Sequence, residues 1–121
     1  MANTFKVVTF AAEPNSAGTP YVVYTAGSGV TPVVLGLILT NINTAQVTAE
    51  VELVSDTGSR GGSNDVTNGT AFLAKDIPIP VGSSVELLSG NKVVLETTDQ
   101  IRIDCSVADK LSGALSVMEI T

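Results

Sequence analysis

Carboxylates are the main side chains of this sequence that could carry out chemistry, because its 121 residues include no histidine and a single cysteine. Without an imidazole, neither a Ser-His-Asp nor a Cys-His catalytic arrangement can form. Glu50 and Glu52 share one face of a predicted strand, and so do Arg102 and Asp104. A carboxylate pair could hydrolyse glycosidic bonds, but three phenylalanines and two tyrosines offer little aromatic platform for a sugar. We interpret both pairs as charges facing solvent and expect no enzymatic activity.

Segment 56–70 holds the other candidate ligands. Asp56, Asn64 and Asp65 lie there among four glycines, and loop oxygens of this kind suit calcium. The spacing does not match an EF-hand loop, so calcium is the weaker interpretation and we expect no metal or cofactor. The segment is longer than a normal hairpin loop and carries one basic residue, Arg60. Such loops make contacts or move freely in solvent, and both readings stay open; the predicted partner contacts are Arg60, Asn64 and Asp65.

The charge distribution argues against binding to nucleic acid or membrane. The net charge is −6, and the six basic residues are scattered along the sequence. No positive patch is therefore predicted that could neutralise phosphates. The longest apolar stretch, 33–39, is far too short to span a bilayer, and the N-terminus lacks the pattern of a secretory signal. We expect synthesis in a bacterial host cytoplasm, with the lone Cys105 buried beside Ile101 and Ile103.

Short apolar-polar alternations punctuated by glycine, proline and asparagine predict an all-β protein. The strands recur about every ten residues, and no convincing helix is present. This pattern is typical of one antiparallel β-sandwich domain, 1–121, jelly-roll-like, with eight or nine strands. The predicted strands are 4–10, 21–26, 30–40, 45–55, 71–79, 85–88, 92–96, 101–107 and 114–121.

Several local features sharpen this prediction. Strand 30–40 is apolar on both faces, so it is either central in the sandwich or covered by a partner on its outer face. Gly36 within it indicates a bulge or a close backbone approach. Strands 85–88 and 92–96 flank Ser-Gly-Asn, which predicts a hairpin. Prolines at the end of strand 71–79 indicate either a sheet edge or the point where the chain leaves the sheet.

Three pieces of the sequence resemble small virion proteins of tailed bacteriophages, particularly those that infect marine cyanobacteria. They are VVLGLILTNINTAQVTAEVEL, FLAKDIPIPVGSSVELLSGNKVVLETTDQIRI and the closing SVMEIT. Together they cover most of the sequence outside 56–70. The matching residues are turn and core positions, so no binding residue can be carried over. The resemblance implies a small β-sandwich present in many copies on a virus particle, with no active site.

The leading functional hypothesis is a capsid decoration or cement protein that stabilises the shell. Its partners would be itself, as a homotrimer on local threefold axes, and the major capsid protein, and its location would be the virion. The alternative is a tail, neck or baseplate component acting as an adaptor in a ring. A receptor- or carbohydrate-binding module is a third hypothesis. Tyr21 and Tyr24, predicted on opposite strand faces, count against a sugar platform.

Overall fold

The computed structural model describes residues 3–57, 66–88 and 92–121, and these residues form two packed antiparallel sheets. The alternating apolar residues of each strand point into the space between the sheets. No helix in the described part of the chain is long and apolar enough to cross a membrane. The strands are β1 (Asn3–Glu13), β2 (Tyr21–Thr25), β3 (Thr31–Asn41), β4 (Val47–Thr57), β5 (Val66–Ile79), β6 (Ser84–Leu87), β7 (Val93–Val94), β8 (Gln100–Cys105) and β9 (Leu111–Ile120).

The strand order confirms the predicted sandwich and its jelly-roll character. Sheet A has the order β1-β9-β3-β6, with β7 also paired to β3, and sheet B has the order β2-β8-β4-β5. β6 and β7 both run antiparallel to β3, one after the other along the same side of it. If they are counted as one interrupted strand, the eight strands lie in the orders 1-8-3-6 and 2-7-4-5, which is the arrangement of a jelly roll.

The predicted hairpin between 85–88 and 92–96 is wrong. The backbone keeps its direction from β6 into β7, and each pairs with β3 instead of with the other. Leu87 lies opposite Leu37, and Val93 lies opposite Val34, so this pairing places both segments against the core. An isolated two-stranded hairpin offers no comparable burial.

The core is aliphatic and lies between the two sheets. Leu37 and Leu115 of sheet A meet Val51, Ile101 and Ile103 of sheet B, and all five are fully buried. Burying a side chain of this size stabilises the fold by about 1.5–3 kcal/mol. Cys105 is buried on the same side of β8, as predicted, and burial raises the pKa of its thiol.

Two bulges change which residues share a face. The register between β3 and β9 shifts between Val34 and Gly36, which confirms the bulge predicted at Gly36. A second shift, between Val22 and Tyr24, places both tyrosines of β2 opposite core residues of β8. The prediction that Tyr21 and Tyr24 face opposite ways is therefore wrong, because the extra residue of the bulge reverses the alternation.

β4 and β5 form a longer hairpin than the sequence pattern predicts. β4 continues to Thr57 and β5 begins at Val66, so both described ends of segment 56–70, residues 56–57 and 66–70, belong to strands. Arg60, Asn64 and Asp65 lie outside the described residues. β5 is an edge strand of sheet B, as its prolines predict.

Candidate interaction surface

Charged side chains occupy the outer face of sheet B and pair with one another. Lys75 Nζ lies 2.7 Å from Glu50 Oε1, and Arg102 Nη2 lies 3.3 Å from Glu52 Oε2. The second pair sits directly across the β4–β8 ladder, where the register sets Glu52 opposite Arg102. The hydrogen bond to Glu50 raises the pKa of the Lys75 ammonium. This face of the protein therefore neutralises much of its own charge.

The prediction that these carboxylates face solvent is wrong for Glu52 and Asp104, each of which is only 8% exposed. Asp104 Oδ1 accepts hydrogen bonds from the backbone amides of Gly18, at 3.2 Å, and Cys105, at 2.8 Å. A buried carboxylate needs such partners, because desolvation without them is costly. Both acids are thus held as parts of the scaffold.

A small depression of about 150 Å³ lies beside these acids. Glu50, Asp76 and Asp104 contribute to its lining, together with Ser106 and Gly18. Glu50 is already bound to Lys75, and Asp104 is already bound to backbone amides. The described residues contain no group of three or more acidic, cysteine or histidine side chains that could hold a metal ion.

The outer face of sheet A is apolar and open. Phe5 and Val7 of β1 are 71% and 64% exposed, Ile38 of β3 is 43% exposed, and Val94 of β7 is 59% exposed. Large exposed apolar side chains that share one surface mark contact sites more often than singly scattered ones. Among the described residues, the charged side chains that reach this face are Glu86 on its β6 side and Lys6, which is paired with Glu119, on its β1 side.

A depression runs through the middle of this apolar face. The bulge brings Leu35 to the surface, and small residues of β3 and β9, Gly36, Ala114 and Ser116, leave space around it. The depression measures about 380 Å³ on the β1 side and about 350 Å³ on the β6 side, and Leu35 and Ser116 line both parts. Phe5 and Val7 form a ridge along its β1 side. The face therefore has a raised apolar edge next to an apolar hollow.

The two tyrosines close one side of the sandwich. The Tyr24 hydroxyl donates a hydrogen bond to Glu119 of sheet A, whose other oxygen lies 2.7 Å from Lys6 Nζ. Burial and the Glu119 contact raise the pKa of Tyr24, and the hydrogen bonds from Lys6 and Tyr24 lower that of Glu119. The Tyr21 ring packs 6.0 Å from Phe10, centroid to centroid. Both tyrosines therefore join the sheets and do not form a surface platform.

Sequence reasoning identified only β3 of the apolar face, as a strand that a partner could cover, and missed the contribution of β1. Its predicted contact residues, Arg60, Asn64 and Asp65, lie outside the described part of the chain. The available signal was that β1 is apolar in both parities, with Phe5 and Val7 alternating against inward-facing residues. Only the strand order shows which of the two sets points away from the core.

Comparison with solved structures finds the same fold in viral capsid proteins. The VP2 subviral particle of infectious bursal disease virus matches with a TM-score of 0.51 and 15% identity over 96% of this chain. The T13 particle of the same virus matches with a TM-score of 0.53 and 11% identity over 97%. Bacillus endospore appendages, described as disulfide-linked pili, match with a TM-score of 0.44 and 16% identity over 98% of this chain and 84% of theirs.

This chain spans 32% and 30% of the two viral chains, so it corresponds to about a third of their length. At these identities the likeness establishes a shared fold. No protein-family model matches the sequence, and neither does any curated protein.

Proposed function

We propose that this chain is a non-enzymatic structural protein of a virus particle, of the tailed-bacteriophage kind that its sequence resembles. The observation that carries the proposal is the jelly-roll strand order, matched over 96% of the chain to a protein that builds a viral particle. A structural role also fits the chemistry of the surface. The carboxylates of sheet B are engaged by partners within the protein, and the exposed apolar side chains of sheet A suit protein contacts.

Within that class, the role we propose is decoration of the capsid. A protein that binds the assembled shell and not its separate subunits stabilises the shell by mass action. With a net charge of −6, it must dock on a neutral or basic patch, because like charges across an interface weaken association. The expected partner is the major capsid protein.

The β4–β5 hairpin is the proposed shell contact. β8 pairs with β4 only as far as Val54, opposite Gln100. Beyond that point the hairpin continues as two strands alone, with Ser55 opposite Gly69 and Thr57 opposite Val66. A projecting hairpin can reach a partner surface while the sandwich stays rigid. The predicted contact residues Arg60, Asn64 and Asp65 fall between Thr57 and Val66 in the sequence, outside the described residues.

The test is to mix the purified protein with empty shells and to measure co-sedimentation and the melting temperature of the shell. We expect binding, a higher shell melting temperature, and loss of both when residues 58–65 are replaced by a two-residue Asn-Gly turn. The shortened protein should keep its own unfolding midpoint, which serves as the control for folding. Shells that neither bind the protein nor melt at a higher temperature would contradict the decoration role.

Copy number on the intact particle separates decoration from the tail, neck or baseplate alternative. By symmetry, a shell protein is present in hundreds of copies, and a tail ring holds about six to twelve. Quantitative mass spectrometry of purified particles distinguishes these values. The inward-facing tyrosines leave the receptor- or carbohydrate-binding alternative without support from the described residues.

A further inference from the structure

The ridge and the hollow on the outer face of sheet A are complementary to each other. Phe5 and Val7 stand up on one side of the hollow that Leu35 and Ser116 line. A two-fold rotation about an axis in the plane of the interface brings two copies face to face and sets the ridge of each against the hollow of the other. Aromatic and aliphatic side chains that fill such hollows are the usual anchors of protein interfaces.

We propose that the outer face of sheet A is a two-fold interface at which a second copy of this chain packs sheet against sheet, which gives a dimer in place of the homotrimer expected from the sequence. The proposal rests on the proposed function, because it names the partner through which the structural subunit first assembles. In this pair, Phe5 and Val7 of one copy lie over Leu35 and Ser116 of the other. The β4–β5 hairpins belong to sheet B and stay free for the shell.

The area of the face is enough for such a pair. Three strands of 10 or 11 residues and the shorter row of β6 and β7, spaced about 4.8 Å apart, present roughly 600 Å² of surface. Stable protein interfaces bury about 800 Å² per partner, with specific ones starting near 600 Å². The whole face reaches the lower end of that range, and the register that sets Phe5 and Val7 over Leu35 and Ser116 covers the part of it made by β1, β9 and β3.

Charge selects this face over the other one for self-association. Each copy carries a net charge of −6, so two copies repel unless they meet where charges are fewest. Among the described residues, sheet A brings to this face only Glu86 and the Lys6 side chain, whose charge is already paired with Glu119. Sheet B would instead bring together two sets of acids, Glu50, Glu52 and Asp104, that already have their own partners.

Sedimentation equilibrium over a wide concentration range, with matched variants of the two faces, tests the proposal. We expect the wild-type chain to form a particle of twice its 12.4 kDa mass. Phe5→Ser with Val7→Thr should raise the dissociation constant at least tenfold, and Ser116→Glu, which puts a charge in the hollow, should do the same. Phe72→Ser removes a 50% exposed phenylalanine from the outer face of sheet B and should leave association unchanged.

Circular dichroism melts of all the variants at monomeric concentration verify that each one folds. A wild-type chain that stays monomeric, one that sediments at three times the subunit mass, or a dimer weakened equally by Phe72→Ser would overturn the proposal. Shell binding is measured separately. A monomer that still decorates shells contradicts the two-fold interface alone, and a dimer that ignores shells contradicts the decoration role alone.

Discussion

The outer faces of the two sheets differ in the kind of side chain that they carry. Both sheets turn alternate aliphatic side chains into one core, so each has a second set of side chains to place outside. Sheet B fills that set with acids and bases that pair across its strands, such as Glu52 with Arg102. Sheet A fills it with apolar side chains, among them Phe5, Val7 and Ile38, and leaves them exposed.

This difference indicates which face of a single chain needs no partner and which face is left uncovered. The charges of Glu50 and Glu52 on sheet B are paired with Lys75 and Arg102, so another molecule gains little by covering them. The apolar groups of sheet A find no cover within the described residues, and removing their area from water stabilises whatever contact covers them. We infer that sheet A assembles and that sheet B faces solvent and presents the hairpin.

The largest expected effect is on the free energy of unfolding, when a methyl group is added to a glycine on the inner side or on the outer side of sheet A. A Cβ added to Gly113 would clash with the backbone oxygen of Ile38 and would lie 2.7 Å from Phe10 Cζ. A Cβ added to Gly36 would meet its nearest heavy atom, the backbone oxygen of Leu87, at 4.0 Å. We expect Gly113→Ala to lower the free energy of unfolding by about 3 kcal/mol, and Gly36→Ala to change it by less than about 0.5 kcal/mol.

Urea denaturation of both variants measures this contrast. Gly36→Ala is the matched control, because it adds the same methyl group to the neighbouring strand. Equal losses in the two variants would mean that the inner side of β9 is not packed as tightly as the structure shows.

The next effect concerns the paired charges of sheet B. Arg102→Met leaves the nearly buried Glu52 carboxylate without its cation, which should cost about 2 kcal/mol because the arginine is partly exposed. Adding Glu52→Met removes the unpaired charge and should recover at least half of that loss. Urea denaturation of the single and double variants measures both steps. If the double variant is as unstable as the single one, the face does not depend on mutual charge pairing.

A smaller effect should appear on the apolar face and have the opposite sign. In the proposed pair, β6 of each copy lies beyond β1 of the other, so Glu86 stays at the rim of the interface and adds to the repulsion between two chains of net charge −6. Glu86→Gln should therefore tighten association about two- to fivefold and weaken its dependence on salt, as expected for a partly exposed charge. Glu96→Gln is the control, because it changes the net charge by the same amount as Glu86→Gln and lies outside the strands of this face. Sedimentation equilibrium at low and high salt measures the dissociation constant of each variant. Equal dissociation constants for Glu86→Gln and Glu96→Gln would contradict a specific effect of Glu86 at this interface.

The smallest effect is the response of the closed side of the sandwich to acid. Hydrogen bonds from Lys6 and Tyr24 lower the pKa of Glu119 from its ordinary value of 4.5. A lowered folded-state pKa stabilises the fold above the ordinary value, and that stabilisation is lost as the pH falls through the lowered value. Thermal melts of wild type and Glu119→Gln should therefore differ most near neutral pH and converge on acidification. If the melting temperatures of the two proteins change with pH in parallel, the contact of Glu119 with Lys6 and Tyr24 contributes nothing to the pH dependence of stability.

Much of the fold could be predicted from the sequence because its causes are local. Alternation and turn residues located every strand, and Gly36 marked its bulge. Pairing partners depend on distant segments, so the Ser-Gly-Asn signal after β6 predicted a hairpin, whereas β3 offered both flanking segments a place against the core. The bulge in β2 likewise turns the Tyr24 side chain to the other face of the sheet, and no turn or glycine residue in β2 marks its position.

The two outer faces were predictable only in part. Glu52 becomes buried because the β4–β8 register sets Arg102 opposite it, and no spacing along the chain encodes that register. β3 was correctly identified as apolar on both faces, and a covering partner was one of its two interpretations. The exposure of Phe5 and Val7 was not predicted, because the sequence of β1 does not show that this strand lies at the edge of sheet A.

Side-chain footprinting of the purified protein by a photoactivated carbene, at dilute and at high concentration, tests the central claim most directly. Phe5 and Val7 report on sheet A, and Phe72 and Val22 report on sheet B. We predict that labelling of Phe5 and Val7 falls several-fold at high concentration while that of Phe72 and Val22 stays constant. Protection of Phe72 and Val22, or no protection of either pair, would contradict the assignment of sheet A as the face that assembles.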